Sequence, residues 1–274
     1  MRVALVTSSN AAGMSDDDPI MMAALERAGH QAVMWRWDDE TVDWSQVDVA
    51  PIRSTWDYFE RAAEFTRWLQ ETRGQVRFIN DAKILLWNLD KHYLRELCGA
   101  GVPVLPTQIA ELPQLEQAVE SVWQTGQSAI VKPVISGGSW GLHHLQAGQE
   151  IKPDPDQGPW LVQPFVPSIE TEGELSVILL GGQVSHGIRK FPSAGDIRVQ
   201  REHGGREAVE TPSVQACEIA LQVQGACPGE PVYARVDVVQ REGRLELMEV
   251  ELLEPELFFV LVPEAADRLA ALVL

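Results

Sequence analysis

With 274 residues, 45% of them hydrophobic and 23% charged, the chain can form one large unit or two to three small lobes, each burying a core. A formal charge of −18 argues against nucleic acid as the main partner, because phosphate contacts need a basic surface; a nucleotide needs only a few cations in one cleft. No apolar run approaches the roughly 18–20 residues that cross a bilayer. The three cysteines, Cys98, Cys217 and Cys227, have no metal-ligand spacing and are too few for a disulfide framework.

The N-terminus enters a strand at once, residues 3–7, without the basic start, longer apolar stretch and small-residue cleavage site of a signal peptide, so a cytoplasmic location is expected. Residues 19–28 carry apolar side chains at helical spacing before Gly29. Strands follow at 31–35 and 47–52, the latter running into Arg53-Ser54-Thr55-Trp56-Asp57-Tyr58, and a helix is expected over 60–72. Strands alternating with helices imply a parallel sheet with helices on its faces. Arg53, Trp56 and Asp57 stand at the end of a strand, where such sheets commonly bind ligands. A lobe-packing aromatic with a salt bridge accounts for them equally well.

A further helix is expected to open near Asn88 as N-cap, to carry Lys91 in its first turn, and to end at Gly99-Ala100-Gly101. A smaller α/β segment begins at 102–107, with a helix over 112–125 and a strand over 128–134. Lys132 lies near the end of that strand, just before Ser136-Gly137-Gly138-Ser139-Trp140-Gly141. A loop of small residues presents backbone N–H groups that can wrap a phosphate chain, with the lysine adding charge. A surface turn is the plainer reading of the same residues.

From Trp160 the pattern turns to hairpins, with strands at 160–166, 174–180 and 183–190. Gln163 and Glu174, read as lying on neighbouring strands, are hydrogen-bond acceptors or ordinary strand surface. Arg189-Lys190 and Gly195-Asp196-Ile197-Arg198 place cations after a strand end, suited to an anionic substrate or to a charged surface loop. After a helix over 214–223, strands at 232–239 and 245–252 flank the turn at Arg241-Glu242-Gly243.

That last hairpin is the most informative stretch. Side chains alternate between faces along a strand. Ala234, Val236, Val238, Met248, Val250 and Leu252 share one face, and Arg235, Asp237, Glu249 and Glu251 the other, along with Leu245 and Leu247. If Val239 pairs with Leu245, Asp237 lies diagonal to Glu249 and three carboxylates converge. Their excess negative charge suits Mg²⁺, a hard cation bound by one or two carboxylates plus phosphates; a solvated face is the alternative.

In order along the chain, Asn88-Leu89-Asp90-Lys91, Val131-Lys132-Pro133 with its glycine-rich loop, Leu161-Val162-Gln163-Pro164, Gly173-Glu174, Lys190, Gly195-Asp196-Ile197-Arg198, His203-Gly204-Gly205, Arg235-Val236-Asp237 and Met248-Glu249-Val250-Glu251 resemble the motifs of the ATP-grasp superfamily. The resemblance implies an α/β fold. Residues 1–87 would be an N-terminal parallel α/β lobe on the substrate side, 88–162 a small central lobe with the phosphate loop, and 163–274 a mainly antiparallel C-terminal lobe with the metal site. It implies ATP and Mg²⁺ as cofactors: Lys91 and Lys132 on the phosphates, Ser136, Gly137, Gly138 and Ser139 as the lid, Gln163 near the adenine, and Glu174 on the ribose. Asp237, Glu249 and Glu251 would hold magnesium, although the last ligand is often asparagine in the superfamily. Arg198, Arg235 and Lys190 would serve catalysis.

Arg-Ser-Thr-Trp-Asp-Tyr, Trp-Asn-Leu-Asp-Lys and Glu-Pro-Glu-Leu-Phe-Phe resemble a bacterial subgroup whose best understood activity closes the ring of D-cycloserine from O-ureido-D-serine. The expected activity is ATP-dependent phosphorylation of a small-molecule carboxylate followed by C–N bond closure, with a homodimer as one assembly to test. An intermolecular carboxylate–amine ligase, and a nucleotide-binding protein without turnover, are the alternatives.

Overall fold

The computed structural model describes residues 1–9 and 15–273. Its N-terminal sheet has the order β2-β1-β3-β4, from β1 (Arg2–Thr7), β2 (Gln31–Arg36), β3 (Val49–Ser54) and β4 (Arg77–Ile79), all parallel. Central β1 and β3 are nearly continuous apolar runs because helices cover both faces. These include α1 (Asp17–Arg27) and α2 (Ala62–Thr72). On one face Trp37, Trp44, Phe65 and Phe78 form an aromatic core.

The middle sheet, β5-β8-β6-β7, is antiparallel and built from β5 (Gln108–Ala110), β6 (Ala129–Pro133), β7 (His143–Leu145) and β8 (Trp160–Pro164). Helix α5 (Leu112–Trp123) packs on it through Leu115, Val119 and Val122. The hairpin reading of β8 is therefore corrected. It pairs with β5 and β6 rather than with the strand after it, and the expected lobe junction at 162/163 falls inside it.

The C-terminal sheet, β11-β10-β9-β12-β13, is antiparallel throughout. It contains β9 (Glu174–Leu180), β10 (Gln183–Phe191), β11 (Arg206–Glu210), β12 (Tyr233–Arg241) and β13 (Arg244–Glu251). A short α6 (Ser168–Thr171) precedes β9, and α7 (Val214–Ala226) backs the sheet through Ala216, Ile219 and Val223.

Two short helices join the lobes. In α3 (Ala82–Asn88), Leu85 enters the N-terminal core and Ile84 the C-terminal one. Asn88 ends this helix instead of capping the next, and Lys91 sits in the turn before α4 (Tyr93–Gly99). The N-cap expectation fails because the Asn88 side chain is committed elsewhere. Its Nδ2 donates to the Val250 carbonyl at 2.9 Å, and its Oδ1 accepts from the Leu252 and Leu253 amides at 2.7 and 3.2 Å. A last helix, α8 (Glu264–Leu272), packs through Ala265, Ala266 and Leu269 into a core shared by β1, α1 and the C-terminal sheet.

The final hairpin differs from expectation in register. Asp237 opposes Glu249, Arg235 opposes Glu251, and Gln240, not Val239, opposes Leu245. The shift falls between Asp237 and Val238, leaving Met248 as the extra residue of a β-bulge. The bulge reverses the facing of the segment before it. Leu245 and Leu247 join the core with Val236 and Val250, and Met248 turns to the opposite face against Val239 and Val166.

Candidate active site

Alternation along β12 sets out one face in four steps. Tyr233 is buried in the core shared with the N-terminal lobe. Arg235 and Asp237 follow in the open stretch, and Val239 ends the face in a small apolar cluster with Leu105, Val166, Ile169 and Val199. Neighbouring strands extend the middle stretch into a polar strip, with Glu249 and Glu251 on β13, Glu174 and Ser176 on β9, and Lys190 on β10. Gly173 lets this strip begin, since with φ at 72° a Cβ there would stand 2.3 Å from the Lys190 carbonyl oxygen.

The middle lobe faces the strip. Ile130 and Lys132 on β6 and Gln163 on β8 share one side, and Gln163 donates to the Thr107 hydroxyl at 2.9 Å. Gln163 and Glu174 thus lie in different sheets, not on neighbouring strands, yet both line the same cleft of about 870 Å³. The cleft has an apolar end, at Leu105, Ile130, Phe165 and Met248, and a charged end.

At the charged end every ion is engaged. Lys91 and Lys132 both reach Glu249, at 3.1 and 3.0 Å, and Lys91 also donates to the Ser136 carbonyl at 2.5 Å. Lys190 pairs with Glu174 and stands 3.5 Å from Asp237. Arg235 pairs with Glu251, and with Asp237 at 3.0 Å, while Ser176 donates to Asp237 at 2.5 Å. The two lysines hold the Glu249 carboxyl down to about 2 against the opposing effect of burial. Burial pushes Glu174 up to about 7, with Lys190 pulling the other way. Asp237 is lowered, burial being outweighed by Arg235 and Lys190, and Glu251 is raised, chiefly by burial.

Lys91, Lys132, Lys190 and Arg235 thus match Glu174, Asp237, Glu249 and Glu251 in formal charge. Such a strip cannot by itself neutralise a triphosphate. Asp237, Glu249 and Glu251 share one wall, and their hard oxygens are the ligand type that Mg²⁺ takes in ones and twos beside phosphate oxygens and water. The expected convergence is corrected in detail, however. Among the described residues no three His, Cys, Asp or Glu side chains are gathered closely enough to hold a metal ion, because each carboxylate here is turned to a lysine or arginine.

The loop 136–141 closes the cleft mouth. Ser139 donates to Gln200 at 3.0 Å, Gly137 packs on the Phe59 ring, and Trp140 lies 5.3 Å from that ring. Beyond the loop a second cavity, of about 1350 Å³, lies against the N-terminal lobe and shares Lys190, Arg198, Arg235 and Glu251 with the first. Arg198 reaches it while paired with Asp196 at 2.7 Å.

The three N-terminal candidates separate. Trp56 lines the second cavity and donates to the Glu254 carbonyl at 3.3 Å. Asp57 lines neither cavity and accepts from the Trp37 indole at 3.1 Å. Arg53 is 1% exposed and sits behind the wall, 3.6 Å from Asp18 and 4.0 Å from Asp17. Glu254 and Glu256, the two acids of the Glu-Pro-Glu-Leu-Phe-Phe segment, also line the cavity; the sequence reading gave them no site role, although two acids directly after a carboxylate strand are a usable signal. Burial pushes Glu254 up to about 8 and Glu256 up to about 7, helped by Glu251 in the first case and Glu207 in the second.

Comparisons with known proteins follow this division of the chain. Residues 3–80 match the model for the D-cycloserine synthetase DcsG N-terminal domain, and residues 104–256 that for the prokaryotic glutathione synthetase ATP-grasp domain. The cycloserine biosynthesis protein DcsG of Streptomyces lavendulae is 30% identical over 287 residues, covering 98% of this chain and 96% of that protein. The crystal structure of D-cycloserine synthetase DcsG superposes with a TM-score of 0.86 at 26% identity, covering 99% of this chain and 98% of the other. The D-alanine–D-alanine ligase of Bacillus anthracis shares the fold, with a TM-score of 0.67 at 16% identity over 100% of this chain and 96% of its own.

Proposed function

This chain belongs to the ATP-grasp superfamily of ATP-dependent ligases, among the relatives of DcsG, and we propose that it activates a small-molecule carboxylate as an acyl phosphate and closes a C–N bond within the same molecule, converting O-ureido-D-serine to D-cycloserine. The observation that carries this reading is the shared wall of the two cavities. Lys190, Arg198, Arg235 and Glu251 face both the cleft between the two sheets and the cavity under the N-terminal lobe. A phosphoryl group passing from one ligand to the other crosses that wall.

In this mechanism the adenine lies at the apolar end of the cleft, beside Gln163, with Glu174 on the ribose. Lys91 and Lys132 exchange Glu249 for phosphate oxygens. Asp237, Glu249 and Glu251 would hold Mg²⁺, which when bound supplies the positive charge that the strip lacks. The substrate carboxylate attacks the γ-phosphorus in line and ADP departs, with catalysis mostly by positioning and charge stabilisation. Arg235, Lys190 and Arg198 offset charge developing on the transferred group. The oxygen-bound nitrogen of the ureido group then attacks the acyl carbon, loses its proton and expels phosphate, closing the ring. Water subsequently cleaves the bond from that nitrogen to the carbamoyl carbon, releasing carbamate, which breaks down to carbon dioxide and ammonia. The loop 136–141 keeps water from the intermediate. Trp56 borders the substrate, whereas Arg53 and Asp57 act through the packing of the lobe. A cytoplasmic location and a homodimer complete the proposal.

The test is ADP release with Mg²⁺-ATP, with and without O-ureido-D-serine, together with mass detection of D-cycloserine. Release without ring product would discard the cyclisation. The breadth of the second cavity favours one further reading, an intermolecular ligase with room for an amine beside the carboxylate, and ADP release that depends on an added amine would select it.

A further inference from the structure

The second cavity carries an excess of carboxylate that the reaction so far leaves unused. Its cations are engaged, Lys190 with Glu174, Arg235 with Asp237 and Glu251, and Arg198 with Asp196. Among the described residues, no lysine, arginine or histidine nitrogen lies within 4.0 Å of the Glu254 or Glu256 carboxylate. Glu254 is only 6% exposed, and its polar neighbour is the Tyr58 hydroxyl. The Trp56 indole reaches its backbone carbonyl, not its carboxylate. Glu207, close by, is already paired with Arg201 at 2.6 Å.

A carboxylate buried without a counter-charge is costly, and the cost is recovered when a ligand brings the cation. The position of Glu254 is also rigid. The two preceding amides, Leu252 and Leu253, both donate to Asn88, and Pro255 restricts the backbone after it. Glu254 lies three residues beyond Glu251, which borders the phosphoryl-transfer strip, so a ligand gripped there presents its other end to Arg235.

We propose that Glu254 and Glu256 are specificity residues that recognise the α-ammonium group of the substrate, so that the cavity takes ammonium carboxylates and rejects their des-amino counterparts. This rests on the ligase reading for the placement of the carboxylate toward Arg235. An ammonium fits better than a metal ion, since its three N–H donors can be shared between two carboxylates and a hydroxyl without a fixed coordination shell.

The experiment is calorimetry on the full chain loaded with Mg²⁺ and a non-hydrolysable ATP analogue. The probes are O-ureido-D-serine and its des-amino analogue 3-(ureidooxy)propanoate. The wild type is expected to favour the amino compound by about tenfold or more. Glu254→Gln and Glu256→Gln are each expected to bring that ratio toward one, with affinity for the ATP analogue unchanged as the check on folding. Equal binding of the two probes by the wild type, no binding of the amino compound, or discrimination that survives both substitutions would overturn the inference. ADP release driven equally by both probes would overturn it and keep the ligase reading. Discrimination in binding with no ADP release from any carboxylate would do the reverse.

Discussion

Replacing Glu249 by glutamine separates two consequences of one side chain. In the nucleotide-free protein its carboxylate occupies Lys91 and Lys132, which are 4% and 8% exposed, at 3.1 and 3.0 Å. Holding this carboxyl at about 2 instead of 4.5 favours its charged form by about 3 kcal/mol. An incoming phosphate chain must displace that interaction. Glutamine keeps the shape and removes the competing charge. In EDTA, Glu249→Gln should therefore bind ADP more tightly, by about tenfold to a hundredfold, which is about 1.4 to 2.7 kcal/mol. With Mg²⁺ the same variant should lose turnover by about a hundredfold or more, as one of the three proposed metal carboxylates is gone. Its nucleotide-free form should also unfold more easily, because two buried ammonium groups lose their counter-charge. Calorimetric titration of ADP with and without Mg²⁺, beside an ADP-release assay, reads the first two effects. Metal-free ADP affinity that is unchanged or weaker would refute the idea that Glu249 stands in for phosphate.

Asn88→Ala removes three buried hydrogen bonds between α3 and the end of β13, and should cost about 2–3 kcal/mol, read in scanning calorimetry as a Tm fall of roughly 5–10 °C; a shift under about 2 °C would mean that water takes over those groups. Glu174, Glu254 and Glu256 have folded-state pKa values raised from 4.5 to about 7, 8 and 7, so their contribution to stability is full below the unfolded value and is lost as pH rises through 7–8. The urea midpoint of the nucleotide-free protein should fall between pH 6 and 8.5, and Glu254→Gln should flatten that slope. Glu249 acts in the opposite sense, its contribution being present above 4.5 and lost as pH falls toward 2. A stability that rises from pH 6 to 8.5 would contradict the first part of this account.

Much of the site was readable because its signals are local. The two-residue period of a strand puts Arg235 and Asp237 on one face whatever the surroundings, and the order of lysine, glycine-rich loop and carboxylate hairpin survives in the linear chain. The N-terminal alternation of strand and helix was legible for the same reason. Three-residue strands such as β4, β5 and β7 were not, because so short a run has no measurable period. Helix α3 was obscured by having two apolar faces, one for each lobe it joins.

By itself, then, the sequence determined the class of fold, the polar face of the last hairpin and the order of lysine, glycine-rich loop and carboxylates along the chain, all consequences of local geometry and motif order. Only the tertiary structure decided how those groups meet. The Met248 bulge moves Asp237 directly opposite Glu249 and sends Leu245 and Leu247 into the core, which resolves why leucines seemed to share a charged face. The approach of the middle sheet brings Lys132 to Glu249 across 117 residues of chain. Closure of the N-terminal lobe buries Glu254 beside an open cavity. Arg53 is drawn behind the cavity wall by the two aspartates that open α1. Register, burial and counter-charge depend on which distant surfaces come together, and no local pattern in the chain encodes them.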